Sequence, residues 1–322
     1  MSESDTTELA VSPELIATSE VFTGITRQHG KGSRAWTLYP FAYIIIINYL
    51  IFFWCLHRFV IERRLMPWLI GPRYRDLPEA KKRTATNHLM NILWKVVALF
   101  GFFPFIMTVV LGHSMRERMP SGHVTYGDIL CLDYMLFVTG FVWELVYRSR
   151  ISFVTALHHL VAIFISTLAV FMMLTDRHGQ EGENYLQIIF VYGFFEVFFE
   201  TGPHVCMLMY TRDRGNSKKL KRSFLIIAIM SFTGTFLEQF AIFFLYAKHF
   251  KTWDWSIKIL TPIIHVCFAS AQIHGGRIFL SMSRKMAKEH AANTSLERGV
   301  KESEQQEPDG SKLTTTVTII EG

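Results

Sequence analysis

Long apolar runs alternate with short polar stretches over most of the chain. Seven runs, at roughly 41–60, 88–111, 126–147, 152–174, 185–210, 223–247 and 256–282, each come near the ~20 residues a helix needs to cross a bilayer. They are continuous, without period-two alternation, so they predict helices and not the strands of a membrane barrel. A shorter apolar piece, Met66–Gly71, ends at Gly71-Pro72 and is expected to lie at the membrane interface. Tyr43, Trp68, Tyr126, Tyr147, Tyr210 and Trp255 fall near run ends, as in aromatic belts. Residues 1–37 begin polar and acidic, with no basic start leading into an apolar core, so they are expected to be a poorly ordered tail and not a signal peptide. The polar stretch 283–322 is expected to be disordered as well.

Composition adds little until its distribution is considered. Of 322 residues, 50% are hydrophobic and the formal net charge is +6. The positive charge sits in short loops and forms no single patch, which argues against a nucleic-acid binder. Loop 61–87 holds Arg63, Arg64, Arg73, Arg75, Lys81, Lys82 and Arg83; loop 148–151 holds Arg148 and Arg150; loop 211–222 holds Arg212, Arg214, Lys218, Lys219, Lys221 and Arg222. With seven spans these loops share one side. The other side has Arg116, Arg118, Arg177, Lys248 and Lys251. The richer side is expected to be cytoplasmic, which places the N-terminus in the lumen or outside and the C-terminus in the cytosol. Cys55, Cys131, Cys206 and Cys267 fall inside apolar runs without a CxxC pair and are expected to be small buried hydrophobes.

The polar residues within the runs carry the chemistry. An ionisable group in a span is costly and by default faces a bundle interior or a wet cavity. Here there are Lys95, Asp128, Asp133, Glu144, His158, His159, Glu196, Glu200, His204, Glu238, His265, His274 and Arg277. In the fifth run Glu196, Glu200 and His204 repeat at i, i+4, i+8 and make one polar helix face. In the fourth, His158 and His159 are adjacent. In the third, Asp133 and Glu144 lie within ~20° of each other around the helix. By depth, the His pair, Glu200 and His204 lie ~10 Å inside the basic side, with Glu144 at its edge and His274 as a further candidate. The expectation is a carboxylate and imidazole cluster open to the cytosol. Residues near span ends, such as His57, Glu144, Arg277 and Lys95, have snorkelling as the alternative reading. For His265 and Glu238 the alternative is pairing within the bundle.

At these residues the chain resembles the TLC domain of ceramide synthases and related multipass lipid proteins. Phe141-Val142-Trp143-Glu144-Leu145-Val146-Tyr147-Arg148 precedes a basic turn, and Leu157-His158-His159-Leu160 is similar to the family's paired-histidine motif. Val191-Tyr192-Gly193-Phe194-Phe195-Glu196-Val197-Phe198-Phe199-Glu200 resembles the acidic segment that follows it, and Leu93-Trp94-Lys95 the opening Trp-Arg pattern. The resemblance covers about residues 80–285. It implies one N-terminal transmembrane helix plus a six-helix TLC barrel-like bundle, a lumenal N-terminus, and a lipid-handling protein of the endoplasmic reticulum. In ceramide synthases the His pair serves acyl transfer from acyl-CoA to a sphingoid base. Carried over, His158 is the acyl-accepting nucleophile or base and His159 its neighbour. The chain departs from that pattern in the acidic segment: where the family has a histidine and then two aspartates three residues apart, Tyr192, Gly193 and Glu196 stand here, while the final Glu200 remains.

The sequence therefore predicts an all-α membrane protein with seven transmembrane helices. Its divisions are a disordered tail at 1–37, a first helix with an interfacial segment at 38–79, a TLC domain at 80–285 and a disordered tail at 286–322. The expected catalytic residues are His158 and His159, and the expected lipid or carboxylate pocket is Glu196, Glu200, His204, Glu144 and His274. No bound cofactor or metal is expected, with acyl-CoA as a co-substrate. Expected partners are membrane lipids and, as an open alternative, a second copy of the chain. Three other functions compete: a non-catalytic lipid-binding or lipid-homeostasis protein, a zinc hydrolase using His and carboxylate ligands, and a seven-helix receptor or retinal protein. For the last, the seventh run offers only Lys258, at its edge.

Overall fold

The computed structural model describes Leu38 and residues 41–305, except 121, 123, 149, 176–179, 252 and 254; at 169–175, 180–185, 256, 257 and 300–305 it describes the backbone alone. The expected tail at 1–37, the loop at 176–179 and residues 306–322 lie outside the described residues. Within them the chain is an all-α membrane protein built on long helices: α1 (Ala42–Ile70), α2 (Glu79–Val110), α3 (Tyr126–Tyr147), α4 (Phe153–Thr175), α5 (Gln180–Arg212), α6 (Ser217–His249) and α7 (Trp255–Gln305). Each falls on one of the seven apolar runs. Among the described residues, five helices (α1, α2, α3, α6 and the apolar part of α7) are long and apolar enough to cross a membrane, and the described part of α4, Phe153–Leu168, is apolar.

The helix ends follow local chemistry. Thr125 and Asp128 form a capping box at the start of α3: the Asp128 N–H donates to Thr125 Oγ1 and the Thr125 N–H donates to Asp128 Oδ2, each at 3.1 Å. Asp128 is thus a cap and not a member of an intramembrane site. Asn216 caps α6 through the Lys219 N–H, while Lys219 Nζ donates to Asp213 at 2.7 Å and holds that carboxyl below its ordinary range. Gly71 ends α1 at φ 81°, a conformation open to glycine.

Two boundaries differ from expectation. α1 does not stop near residue 60; it continues as a π-helical segment, Leu56–Leu65, and a last α turn, Met66–Ile70, so the short apolar piece is the end of one helix. The stretch from 286 to 305 is helix and not disordered tail, because α7 runs on to Gln305. Extending an existing helix requires no new nucleus, and Arg284–Gln305 is rich in Ala, Lys, Glu and Arg with no proline. Met286 also packs onto Leu220 and Phe224 of α6 and Cys206 of α5.

Neighbouring helices close a ring in the order α2, α3, α4, α7, α6, α5 and back to α2, with α4 and α5 also touching across it and α1 lying outside against α3. Bilayer lipid offers no hydrophobic drive for helix association, so close packing must supply it. Gly140 of α3 lies against the Trp94 indole of α2, where a Cβ would come within 2.6 Å of the ring. Gly234 of α6 does the same for Phe199 of α5. All four cysteines are free; Cys131 and Cys206 are buried, but Cys267 faces outward among exposed apolar side chains.

Candidate functional site

α4 sets His158 and His159 in its second turn. Adjacent residues on a helix diverge by ~100°, so the two rings take different neighbours. His159 turns to α3. Its Nε2 lies 3.3 Å from Glu144 Oε2, and the Phe141 ring stacks on it at a centroid distance of 4.8 Å. The other Glu144 oxygen accepts from Arg148 Nη1 at 2.8 Å. His158 turns to α5. Its Nε2 lies 3.7 Å from Glu196 Oε2, with the edge of Phe268 of α7 at 4.9 Å. The other Glu196 oxygen accepts from Lys95 Nζ of α2 at 2.7 Å. Each histidine therefore has its own carboxylate from another helix, and each carboxylate its own cation: Lys95–Glu196–His158 and Arg148–Glu144–His159.

Of the sequence-predicted site residues, His158, Glu196 and Glu200 come together: one donor atom from each falls within 4.8 Å of the others. His159 and Glu144 form the neighbouring pair. His204 joins neither; its Nδ1 shares a hydrogen bond with His88 Nδ1 of α2 at 2.9 Å. His274 is exposed and is not one of the groups that meet here. Glu144 is buried and does not snorkel. His265 hydrogen-bonds the Tyr192 hydroxyl at 2.8 Å, and Glu238 accepts from Gln272 Nε2 at 2.6 Å, so both pair within the bundle.

Lys95 was not among the expected site residues. It does not reach for the interface: its side chain is 1% exposed and locked to Glu196. The sequence carries a signal for it. His88, Asn91 and Lys95 repeat at i, i+3, i+7 on α2, the spacing of one helix face, and all three are buried.

Beside this cluster, α2, α3, α4, α5, α6 and α7 surround a cavity of about 920 Å³, its open mouth included. Its wall is mostly apolar, with Leu99, Phe102, Phe105, Ile165, Phe194 and Phe198. Among the described residues its polar groups are His158, Glu196, Asp133, Tyr134, Tyr192, Ser166, Glu238 and Gln272. His159, Glu144, Glu200, His204 and His274 do not line it. An apolar chamber with few converging polar groups suits a small amphiphile. His158 is the imidazole that the chamber presents; His159 stands behind it.

His158, Glu196 and Glu200 are chemically able to hold a metal ion. The Lys95 ammonium, however, already sits 2.7 Å from Glu196, and a dication there would meet its charge at close range. No protein-family model, curated protein or solved structure matches this chain.

Proposed function

We propose that this chain is a TLC-like lipid-metabolism protein of the endoplasmic reticulum membrane that transfers a long acyl chain from acyl-CoA to the amine of a sphingoid base. The observation that carries this reading is His158 on the wall of a largely apolar chamber, facing the Glu196–Lys95 pair. A carboxylate beside one imidazole nitrogen favours the proton on that side. With the Nε2 proton directed at Glu196, Nδ1 of His158 keeps a lone pair.

That lone pair serves as the acyl-accepting nucleophile or as the base that takes the amine proton. In either case the thioester C–S bond breaks, the amide C–N bond forms, and the proton lost by the amine is passed to the departing thiolate. The acyl tail occupies the chamber. His159, stacked on Phe141 and paired with Glu144, positions α4 and does not touch substrate. Loops rich in Lys and Arg face the cytosol, which puts His158 ~10 Å inside that face, within reach of a cytosolic acyl-CoA.

A specific observation supports a second reading, non-catalytic lipid binding. Lys95 neutralises Glu196, the carboxylate nearest His158, and Gly193 and Glu196 stand in the acidic segment where the resembled enzymes carry aspartate. Lipidomics of a deletion strain rescued with wild type, His158→Ala or His159→Ala separates the two. The transferase reading expects a lost N-acylated sphingolipid pool that wild type restores and His158→Ala does not. Full rescue by His158→Ala removes catalysis and leaves binding.

A further inference from the structure

Among the described residues three carboxyl groups line the chamber, and two have donors from the protein. Glu196 accepts from Lys95 at 2.7 Å and Glu238 from Gln272 at 2.6 Å. Asp133 of α3 lines the same chamber with no hydrogen-bond or ion-pair partner among the described residues. An intramembrane carboxyl without a donor is expensive to keep and commonly marks a functional position.

The surrounding backbone makes room for this group. α2 is regular from Glu79 to Ala98, then tightens into a 3₁₀ turn at Leu99–Gly101 before Pro104, which has no N–H to donate. Gly101 of that turn touches the Asp133 carboxyl so closely that any side chain there would collide with it. Asp133 is eight residues from Phe141, whose ring lies 6.3 Å from His158. Along a helix that is roughly 12 Å.

We infer that Asp133 is a specificity-determining residue. It accepts a hydrogen bond from a donor, hydroxyl or ammonium, carried part-way along a long-chain ligand, away from the group that reaches His158. This rests on the reading of the chamber as a lipid site. A ligand with a bare hydrocarbon chain leaves the carboxyl without a donor and is discriminated against, because a buried acceptor left without its bond costs more than the bond's own net contribution.

The test uses full-length protein in lipid nanodiscs and displacement of a photoreactive long-chain acyl probe. The competitors are a long-chain fatty acid, the same acid with a mid-chain hydroxyl, and the same acid with a mid-chain amine. Wild type is expected to prefer at least one substituted chain about ten-fold over the bare chain. Asp133→Leu is expected to abolish that preference while keeping or improving affinity for the bare chain. Asp133→Asn, which retains an acceptor oxygen and the same shape, is expected to keep part of it. Preference for the amine alone identifies the donor as ammonium; preference for both, or for the hydroxyl alone, identifies it as neutral or interchangeable. Equal binding of all three by wild type, or a preference that survives Asp133→Leu, overturns the inference and leaves the lipid site standing. Failure of all three and of the probe to bind wild type overturns the lipid site as well.

Discussion

At the scale of single residues, the informative feature is that two adjacent histidines do different work. Helix geometry separates them: His158 reaches the chamber, and His159 reaches Glu144 and Arg148. His158→Ala is expected to reduce turnover by at least about 100-fold with little change in thermal stability. His159→Ala is expected to lower the melting temperature, because it leaves the buried Glu144 with one partner fewer, and to retain measurable turnover. Activity assays and thermal unfolding of the two variants in the same detergent check this. Lys95 and Glu196 are coupled more tightly still. Removing one partner of a buried ion pair leaves an uncompensated charge, so Lys95→Met alone is expected to destabilise by about 3 kcal/mol. Lys95→Met with Glu196→Gln is expected to recover most of that loss, and a double-mutant thermal cycle measures it. The paired histidines and the Glu196–Glu200 face were legible in the sequence because helical periodicity alone puts them inside. Lys95 was visible too, but periodicity cannot say whether a lysine side chain extends to the interface or bends back to a carboxylate on another helix. His274 illustrates the opposite limit: its position along α7 pointed to the cluster, but its direction around the helix leaves it exposed.

At the scale of helices, packing is set by small residues and ends by caps. Gly140→Leu places a side chain where Trp94 lies, and it is expected to destabilise the α2–α3 contact by about 1–3 kcal/mol. Thr125→Ala removes the α3 cap and is expected to cost about 1 kcal/mol. Thermal unfolding with both variants checks the order, Gly140→Leu the more severe. Helix existence was readable from apolar run length. Helix ends were not, because the π-helical extension of α1 and the run of α7 to Gln305 depend on backbone continuity and on contacts such as Met286 with Phe224, which no hydropathy window contains.

At the scale of the whole molecule, the ring of α2 to α7 brings residues more than a hundred positions apart, such as Lys95 and Glu196 or His88 and His204, to within hydrogen-bonding distance. That convergence is the part the sequence could not provide, since it follows from the order of helices around the ring and not from any one helix. The loop charges argue that the basic ends face the cytosol. A reporter glycosylation site appended to the N-terminus is expected to be modified in cells, and one at the C-terminus is expected to remain unmodified. The most direct test of the central claim is to incubate purified protein with labelled long-chain acyl-CoA and a sphingoid base, beside His158→Ala. The account predicts a labelled amide from wild type and none from His158→Ala. No amide from wild type, or equal amide from both, would contradict it.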